Sequence, residues 1–255
     1  MKSPIKDATQ DFKCISTLKE LIPRGSIVAS HLFYGGALEF SLAEAERFVC
    51  AHTTRYVVYE FWKCALENPE RLYEMVSSES LRFENQTMFH LLQESWPQYA
   101  DPYLRSSLFF ILNRCSDQGL ISSGKLDMKN FNPIALSHLR NFKVPNFHLQ
   151  LLPESDTVDH IAIDMDADYL LLPLGEFNYN LFNAGKSRGF ETVFVDHPKL
   201  ATHLKKMEEQ KWILLYKSHP ALFELYKDAR VIQLDEYGRK TRQQDKTQEV
   251  LIANF

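Results

Sequence analysis

Side chains that could do chemistry follow two strands predicted near the start of the sequence. His31 lies near the end of one short apolar run, His52 follows the next run, and Gly35 and Gly36 come just after the first. If both runs are parallel strands, the two imidazoles lie at the carboxyl ends of neighbouring strands, where open α/β sheets bind ligands. The glycines could cradle a cofactor. A turn from strand to helix needs glycine for backbone reasons alone, and we favour that interpretation.

A second group of side chains is acidic. Asp166 and Asp168 precede another apolar run, and Asp196 stands beside His197 and Pro198. An aspartate next to a histidine could act as an acid/base pair. An aspartate shortly before a proline is also typical of a helix start, and we predict that Asp196 caps a helix.

The first 140 residues change from strand signals to helix signals. An apolar run at 26–33 and a capping box beginning at Ser41 predict a strand, a turn and a helix, and a second strand follows at 47–51. From about 55 to 140, apolar residues recur at helical spacing, with one helix start at Asp101. This stretch predicts an inserted helical subdomain.

Strand signals return after the helical stretch and alternate with short helices. They lie at 147–152, 169–173, 192–195, 212–216, 230–234 and 248–254. Strands that alternate with helices predict a mostly parallel sheet, and the last two, joined by a polar loop at 235–246, predict an antiparallel hairpin at its edge. The predicted units are an α/β domain made of residues 1–54 and 146–255 and a helical subdomain at 55–145.

The composition predicts a folded cytoplasmic protein. With 255 residues and 45% apolar content, the chain can bury a large core. Acids outnumber bases by 33 to 29, so the net charge of −4 gives no overall attraction to DNA. The four cysteines are widely spaced, as expected of reduced thiols rather than of a zinc site, and no run is long enough to span a bilayer. We expect no metal and no membrane partner.

Several short stretches, taken in order, resemble the Dam-like family of adenine-specific DNA methyltransferases over nearly the whole chain. They are LIPRG at 21–25, FYGGA at 33–37, LENPERL at 66–72, RSSLFFILNR at 105–114, GL at 119–120, FVDH at 194–197, WILLY at 212–216 and EVLIAN at 249–254. The resemblance implies a Rossmann-like methyltransferase fold with an inserted, target-recognition-like helical subdomain. It also implies a bacterial, phage or other mobile-element origin.

The resemblance implies a pocket for S-adenosylmethionine in which this chain departs from the family. Of the family's Gly-Gly-Lys only Lys13 remains, and Phe33, Gly35 and Gly36 remain of the glycine loop. His52 stands where the family has an acid that accepts hydrogen bonds from the cofactor ribose. Because an imidazole cannot replace a carboxylate facing two hydroxyl groups and a sulfonium, we expect a degenerate pocket and no cofactor.

The catalytic motif implied by the resemblance, Asp-Pro-Pro-Tyr, is altered here. In the family, the acid and a proline carbonyl accept hydrogen bonds from the weakly nucleophilic amine of adenine, and the aromatic ring stacks on the flipped base. Leu172 replaces the acid, Pro173 remains, Leu174 replaces the second proline and Gly175 replaces the aromatic residue. Shifting the motif onto Asp166 or Asp168 leaves no proline at the two positions after the acid. We therefore expect no catalytic residue.

Two groups of residues are candidates for contacting DNA phosphates. Asn113 and Arg114 lie in a stretch that helps to position phosphates in the family, although they could equally form a helix end that keeps the insert folded. Arg239, Lys240 and Arg242 lie in the predicted hairpin loop. Because acids interleave with these bases, a solvated hairpin is the favoured interpretation of the loop.

Together these features predict a pseudoenzyme. We expect a catalytically inactive homologue of DNA adenine methyltransferases, retained to bind double-stranded DNA or to serve as a non-catalytic subunit of a partner protein such as an active methyltransferase. The first alternative is a divergent S-adenosylmethionine-dependent enzyme with a rearranged site built from Asp166, Asp168 or His52. The second is a protein-interaction module without nucleic-acid function, which the acidic charge balance favours.

Overall fold

Seven strands form one sheet in the computed structural model, which describes residues 3–6, 11–79, 85–119, 121–153, 166–177 and 195–255. They are β1 Ile27–Ser30, β2 Phe48–Thr53, β3 Phe147–Leu151, β4 Tyr169–Gly175, β5 Lys211–Lys217, β6 Arg230–Leu234 and β7 Glu249–Ala253. Each coincides with a strand signal in the sequence. Most of the signal at 192–195 lies outside the described residues.

The strands lie in the order β3-β2-β1-β4-β5-β7-β6. All pairs from β3 to β5 are parallel, whereas β7 runs antiparallel to both of its neighbours. The predicted fold class, a Rossmann-like α/β sheet that is mostly parallel with an antiparallel edge hairpin, is therefore confirmed. The strand order reverses between β1 and β4, and open sheets of this kind bind ligands outside the carboxyl ends of the strands at such a point.

Helices flank this sheet. In the described ranges they are α1 Ile15–Leu21, α2 Ala37–Glu44, α3 Tyr56–Glu67, α4 Pro69–Glu79, α5 Gln86–Ser95, α6 Pro102–Cys115, α7 Pro133–Arg140, α8 His197–Lys205 and α9 Ala221–Leu225. Two predicted helix starts are confirmed, because the Asp101 carboxylate accepts the Leu104 N–H (2.8 Å) and that of Asp196 accepts the Lys199 N–H (3.0 Å). None of these helices is long and apolar enough to cross a membrane.

The predicted capping box at Ser41 is wrong. Ser41 lies inside α2, whose N-cap is Gly36 in a left-handed conformation. The Ser41 hydroxyl donates to the Ala37 carbonyl one turn earlier (2.7 Å). Serine inside a helix often makes this bond, so the sequence pattern of a cap occurs here without its geometry.

Alternate residues of the strands face two separate layers of core. Leu171 faces the layer that contains α1 and one side of α2, whereas Leu172 faces the layer that contains α3, α4, α6 and α8. The sheet is thus buried on both faces, as parallel sheets usually are. Trp62 of α3 packs 4.9 Å from Phe40 of α2 and 5.2 Å from Phe142, centroid to centroid. The helical stretch and the sheet share this core. The division into two domains at residues 54 and 146 stays a prediction.

A buried ion pair joins α3 to α6. Arg105 Nε donates to Glu60 Oε1 (2.7 Å), and its Nη2 donates to the other carboxylate oxygen. The hydroxyl of Tyr56 also donates to Glu60 (3.0 Å), and the Arg105 guanidinium reaches the carbonyls of Tyr99 and Ala100. The Glu60 side chain is 8% exposed and that of Arg105 is 18% exposed. The pair therefore stabilises the packing of α3 against α6.

Candidate functional site

The carboxyl ends of β1, β2 and β4 meet at one side of the sheet, which we call the carboxyl edge. Ser30, the last residue of β1, lies level with Ala51 of β2 and Leu171 of β4. One residue further, the His31 N–H donates to the Leu171 carbonyl (3.0 Å). The sheet register therefore brings His31, His52 and the segment 172–175 to this edge, as the resemblance implies.

His31 and His52 form a buried pair. Nε2 of His31 lies 3.4 Å from Nδ1 of His52, and the ring planes are 79° apart. The residues are only 3% and 4% exposed. For these nitrogens to share a hydrogen bond, one must donate and the other must be unprotonated. His52, the residue that the resemblance aligns with a ribose-binding acid, thus already faces a second imidazole.

The four residues at the catalytic motif position are buried. Leu172 is 0% exposed and Leu174 is 2% exposed, and both belong to the core on the α3 side of the sheet. The pairing with β5 shifts between Pro173 and Gly175, and Gly175 has a φ of 72°. Leucine side chains cannot accept a hydrogen bond from an amine. Leu172 and Leu174 therefore contribute to the core and offer no polar group at the carboxyl edge.

The two acids of the rearranged-site alternative lie at the other side of the sheet. The carboxylate of Asp168, just before β4, accepts the N–H of Ile27 at the start of β1 (2.8 Å). β4 has seven residues, and a strand of that length spans roughly 20 Å. A catalytic role at the carboxyl edge for Asp168, or for the exposed Asp166 two residues earlier, is therefore wrong. Asp168 instead fixes the start of β1.

The fold itself requires a glycine in the loop between β1 and α2. Gly36 has a φ of 72°, and a Cβ at this position would overlap the ring of Phe40. Phe33 is 1% exposed, and its ring centroid lies 6.0 Å from that of Phe40 and 5.8 Å from that of Trp62. The residues that the resemblance places around a cofactor thus hold an aromatic core under the loop.

Lys13 lies where the amino-terminal segment crosses the carboxyl edge. Its backbone N–H donates to both carboxylate oxygens of Glu249 (3.0 and 2.9 Å), which also pairs with the Lys217 ammonium (2.9 Å). Its own ammonium pairs with Asp11 (2.8 Å). Gly238, in the turn of the edge hairpin, packs so closely that a Cβ there would meet the Lys13 carbonyl.

A groove of about 600 Å³ opens beside this segment, and we call it the edge groove. Its walls are the amino-terminal segment, the first two turns of α2, the end of α6, α7 and the turn of the β6–β7 hairpin. Lys13, Arg114 and Tyr237 all line it. The fold therefore places in one cleft a residue predicted for the cofactor and a residue predicted for DNA.

Asn113 and Arg114 both hold the amino-terminal segment. The Asn113 amide donates to the carbonyls of Lys6 (2.8 Å) and Gly119 (2.9 Å), and its oxygen accepts the Lys6 N–H (2.6 Å). Because Asn113 is fully buried, its side chain cannot reach DNA, and that part of the prediction is corrected. Arg114 donates to the Pro4 carbonyl (2.6 Å) and remains partly exposed to the groove.

The basic residues of the hairpin loop are exposed. Arg239 lies 5.5 Å from the ring centroid of Tyr237, and Lys240 pairs with Glu20 (2.6 Å). Arg242 is exposed and makes no ion pair with any described carboxylate. That these three basic residues contact DNA stays a prediction.

Glu39 is a site feature that the sequence did not reveal. The Ser30 hydroxyl at the end of β1 donates to its carboxylate (2.7 Å), and Glu39 is 1% exposed. The only sequence signal is an acid in the first turn of α2, where the helix dipole favours negative charge. A carboxylate is therefore supplied to the end of β1 from the following helix.

An aromatic stack at the ends of β4 and β5 was also missed. Phe177 lies between His197 and His219, with centroids 4.5 and 4.8 Å away and nearly parallel rings. Nδ1 of His197 is 2.9 Å from the Tyr216 hydroxyl, which is 3.5 Å from the Tyr226 hydroxyl. The stack could not be read from the sequence because its members come from four separate segments.

Tyr226 should make stability fall at alkaline pH. Burial raises the pKa of Tyr226 to about 12, above the value of about 10 for a free tyrosine. Its contribution to stability is therefore complete below pH ~10 and is lost as the pH rises towards ~12. Replacing Tyr226 by phenylalanine should reduce this alkaline loss by roughly 2 kcal/mol, measured by urea unfolding at several pH values. Tyr237→Phe, at a residue that is 69% exposed, is the control, and equal losses in both variants would contradict the prediction.

Among the described residues, no group of three or more His, Cys, Asp or Glu side chains is placed to hold a metal ion.

No protein-family model matches this chain, and no curated protein matches it. Similar solved structures include a TehB-like SAM-dependent methyltransferase from Corynebacterium glutamicum, with 6% identity and a TM-score of 0.44 over 95% of this chain and 86% of that one. Others are a SAM-dependent methyltransferase from Agrobacterium tumefaciens (8%, 0.38, covering 94% and 59%) and the rRNA methyltransferase AviRa from Streptomyces viridochromogenes (10%, 0.39, covering 94% and 81%). These likenesses are remote, and the fold assignment rests on the order and direction of the seven described strands.

Proposed function

We propose that this chain is a methyltransferase-like protein that uses its fold for binding rather than for methyl transfer. The observation that carries the proposal is the burial of Leu172 and Leu174 at the carboxyl edge. A methyltransferase acting on adenine needs an acceptor for the protons of the amine at this point. A buried leucine offers none, and loss of one charge-stabilising group typically costs about 100-fold or more in rate.

The cofactor side of the edge supports the same proposal. The buried His31–His52 pair stands where a ribose would need a carboxylate, and each ring is already in contact with the other. Phe33 and Gly36 are engaged in packing with Phe40. An S-adenosylmethionine molecule would have to displace core side chains, and such rearrangements are costly in a close-packed interior.

Titration with S-adenosylmethionine and S-adenosylhomocysteine tests the loss of the cofactor. We expect no heat from either ligand up to about 1 mM, which corresponds to a binding free energy weaker than about −4 kcal/mol. A cooperative thermal unfolding transition of the same sample would show that the protein is folded. Submillimolar binding of either ligand would contradict the proposal and favour a divergent enzyme.

Double-stranded DNA is the ligand that we propose from the resemblance, with the hairpin loop as its contact. Because the whole chain carries a net charge of −4, DNA binding would depend on a local group of basic side chains such as that of Arg242. A charge reversal, Arg242→Glu, should weaken binding of a labelled duplex by about 3- to 10-fold and lower the salt dependence. Fluorescence anisotropy at two salt concentrations measures both effects.

The matched control is Arg230→Glu. Arg230 is an exposed arginine of the same hairpin, but it begins β6 and therefore lies at the opposite side of the sheet from Arg242. We expect Arg230→Glu to bind DNA like the unchanged protein. Absence of salt-dependent binding, or equal loss in both variants, would reject the hairpin as a DNA contact and direct the search to a protein partner.

A further inference from the structure

The edge groove has a charge opposite to that of the chain as a whole. Its lining contains two bases, Lys13 and Arg114, one acid, Asp11, and one histidine, His138, whereas the chain has a net charge of −4 with histidine counted as neutral. The groove volume of about 600 Å³ lies within the range of small-molecule sites. A local excess of positive charge in a cleft of this size favours an anionic ligand.

Arg114 is one of the two cations that line this groove. Its guanidinium donates to the carbonyls of Pro4 and Ser3 (2.6 and 3.4 Å). Burial lowers the pKa of Arg114. Among the described residues no carboxylate pairs with it. A charge that is partly withdrawn from water is stabilised by a counter-ion, and an anion in the groove would supply one.

Lys13 supplies a second cation but is already paired. Its ammonium lies 2.8 Å from the Asp11 carboxylate, and both side chains are more than half exposed. A phosphate ester carries nearly two negative charges at neutral pH, so it can compete with one exposed carboxylate for Lys13. Arginine is also a usual partner of phosphate in proteins. A phosphate group, with its higher negative charge, is therefore a better partner for Lys13 and Arg114 than a single carboxylate is.

Two exposed apolar side chains stand at the rim of the groove. Tyr237 is 69% exposed and Ile134 is 68% exposed, and both line the groove. The Arg239 guanidinium lies 5.5 Å from the Tyr237 ring centroid. Exposed aromatic rings beside cations are the usual platform for a nucleic-acid base. We propose that the edge groove binds a nucleoside monophosphate, with its phosphate on Arg114 and Lys13 and its base against Tyr237.

This site does not depend on DNA binding through the hairpin, and its test uses separate ligands. Calorimetry with adenosine 5′-monophosphate should show saturable binding to the full chain. Adenosine alone and inorganic phosphate alone should each bind at least about 10-fold more weakly, because each lacks one half of the contacts. No binding of the monophosphate, or binding equal to that of inorganic phosphate, would overturn the proposal. Displacement of the monophosphate by S-adenosylhomocysteine would overturn it in favour of a cofactor pocket.

Two variants with opposite expected effects test the phosphate contacts. Arg114→Gln should weaken monophosphate binding about 10-fold or more. Because Arg114 also holds the amino-terminal segment, Asp11→Asn is the second test, and freeing Lys13 should tighten binding about 3-fold at low salt. Asp228→Asn is its control, since Asp228 forms a similar exposed pair with Lys205 (3.3 Å) away from the groove. Unchanged affinity in Asp11→Asn, or an equal gain in Asp228→Asn, would contradict the assigned contacts.

Tyr237→Ala tests the base contact. It should weaken monophosphate binding about 10-fold and leave binding of inorganic phosphate unchanged, because the phosphate lies on the cations. Tyr99→Ala is the control, since Tyr99 is also exposed, at 39%, but is not part of the groove lining. Equal affinity for the monophosphate in the two variants would remove Tyr237 from the site.

Discussion

Replacing Glu60 by alanine is expected to lower the free energy of unfolding by about 3 kcal/mol, because it leaves the largely buried charge of Arg105 without its partner. The carboxylate of Glu60 accepts three hydrogen bonds, two from Arg105 and one from Tyr56. Hydrogen bonding to Glu60 raises the pKa of Arg105. Urea unfolding at neutral pH measures the loss.

An exposed ion pair elsewhere in the helical stretch is the matched control. Arg140 of α7 pairs with Glu70 of α4 (2.6 Å), and their side chains are 52% and 58% exposed. Glu70→Ala also removes a carboxylate that joins two helices, but solvent screens the remaining arginine. We expect a loss within about 1 kcal/mol. Similar losses in Glu60→Ala and Glu70→Ala would contradict the role of burial.

A second substitution separates the buried charge from the lost contact. In the double variant Glu60→Ala/Arg105→Leu, no unpaired guanidinium remains, and an apolar side chain takes its place. Replacing both members of a buried pair by apolar residues is often close to neutral. The double variant should therefore be more stable than Glu60→Ala alone. If it is less stable, the packing of the Arg105 stem, rather than its charge, dominates.

The sheet was predictable because each strand carries its own local signal. β5 and β7 are continuous apolar runs, and no helix signal separates β6 from β7, so the edge hairpin followed from spacing alone. Asp101 and Asp196 were predictable as caps because a cap depends on the next three residues. Ser41 carried the same kind of signal but lies in mid-helix, because α2 already begins after Gly36.

The site was less predictable because its contacts join distant segments. The strand signals predicted that His31 and His52 lie at the same end of neighbouring strands, since parallel strands end together. The bond from the Lys13 N–H to Glu249 spans 236 residues, and neither residue type signals it. Burial of Asn113 likewise depends on the amino-terminal segment returning to α6. Long-range packing of this kind leaves no local pattern to read.

Gly36→Ala is expected to lower the free energy of unfolding by about 3 kcal/mol. The residue has a φ of 72°, and a left-handed conformation costs a non-glycine residue about 1 to 2 kcal/mol. The added Cβ would also overlap the ring of Phe40, which is fully buried and packs against Trp62, Phe142 and Phe147. Overpacking a tight core typically adds a further 1 to 3 kcal/mol. Thermal and urea unfolding without any ligand measure the effect.

Gly25→Ala separates the two causes. Gly25 has a φ of 79°, and a Cβ there would meet nothing within 4 Å. Its replacement should therefore cost only the conformational part, about 1 to 2 kcal/mol. The difference between the two variants measures the clash with Phe40, and Phe40→Leu in the Gly36→Ala background should recover part of it. If Gly36→Ala costs no more than Gly25→Ala, Phe40 can move aside, and the glycine would no longer be explained by packing. The loop could then have room for a ligand, which the proposed loss of the cofactor site does not allow.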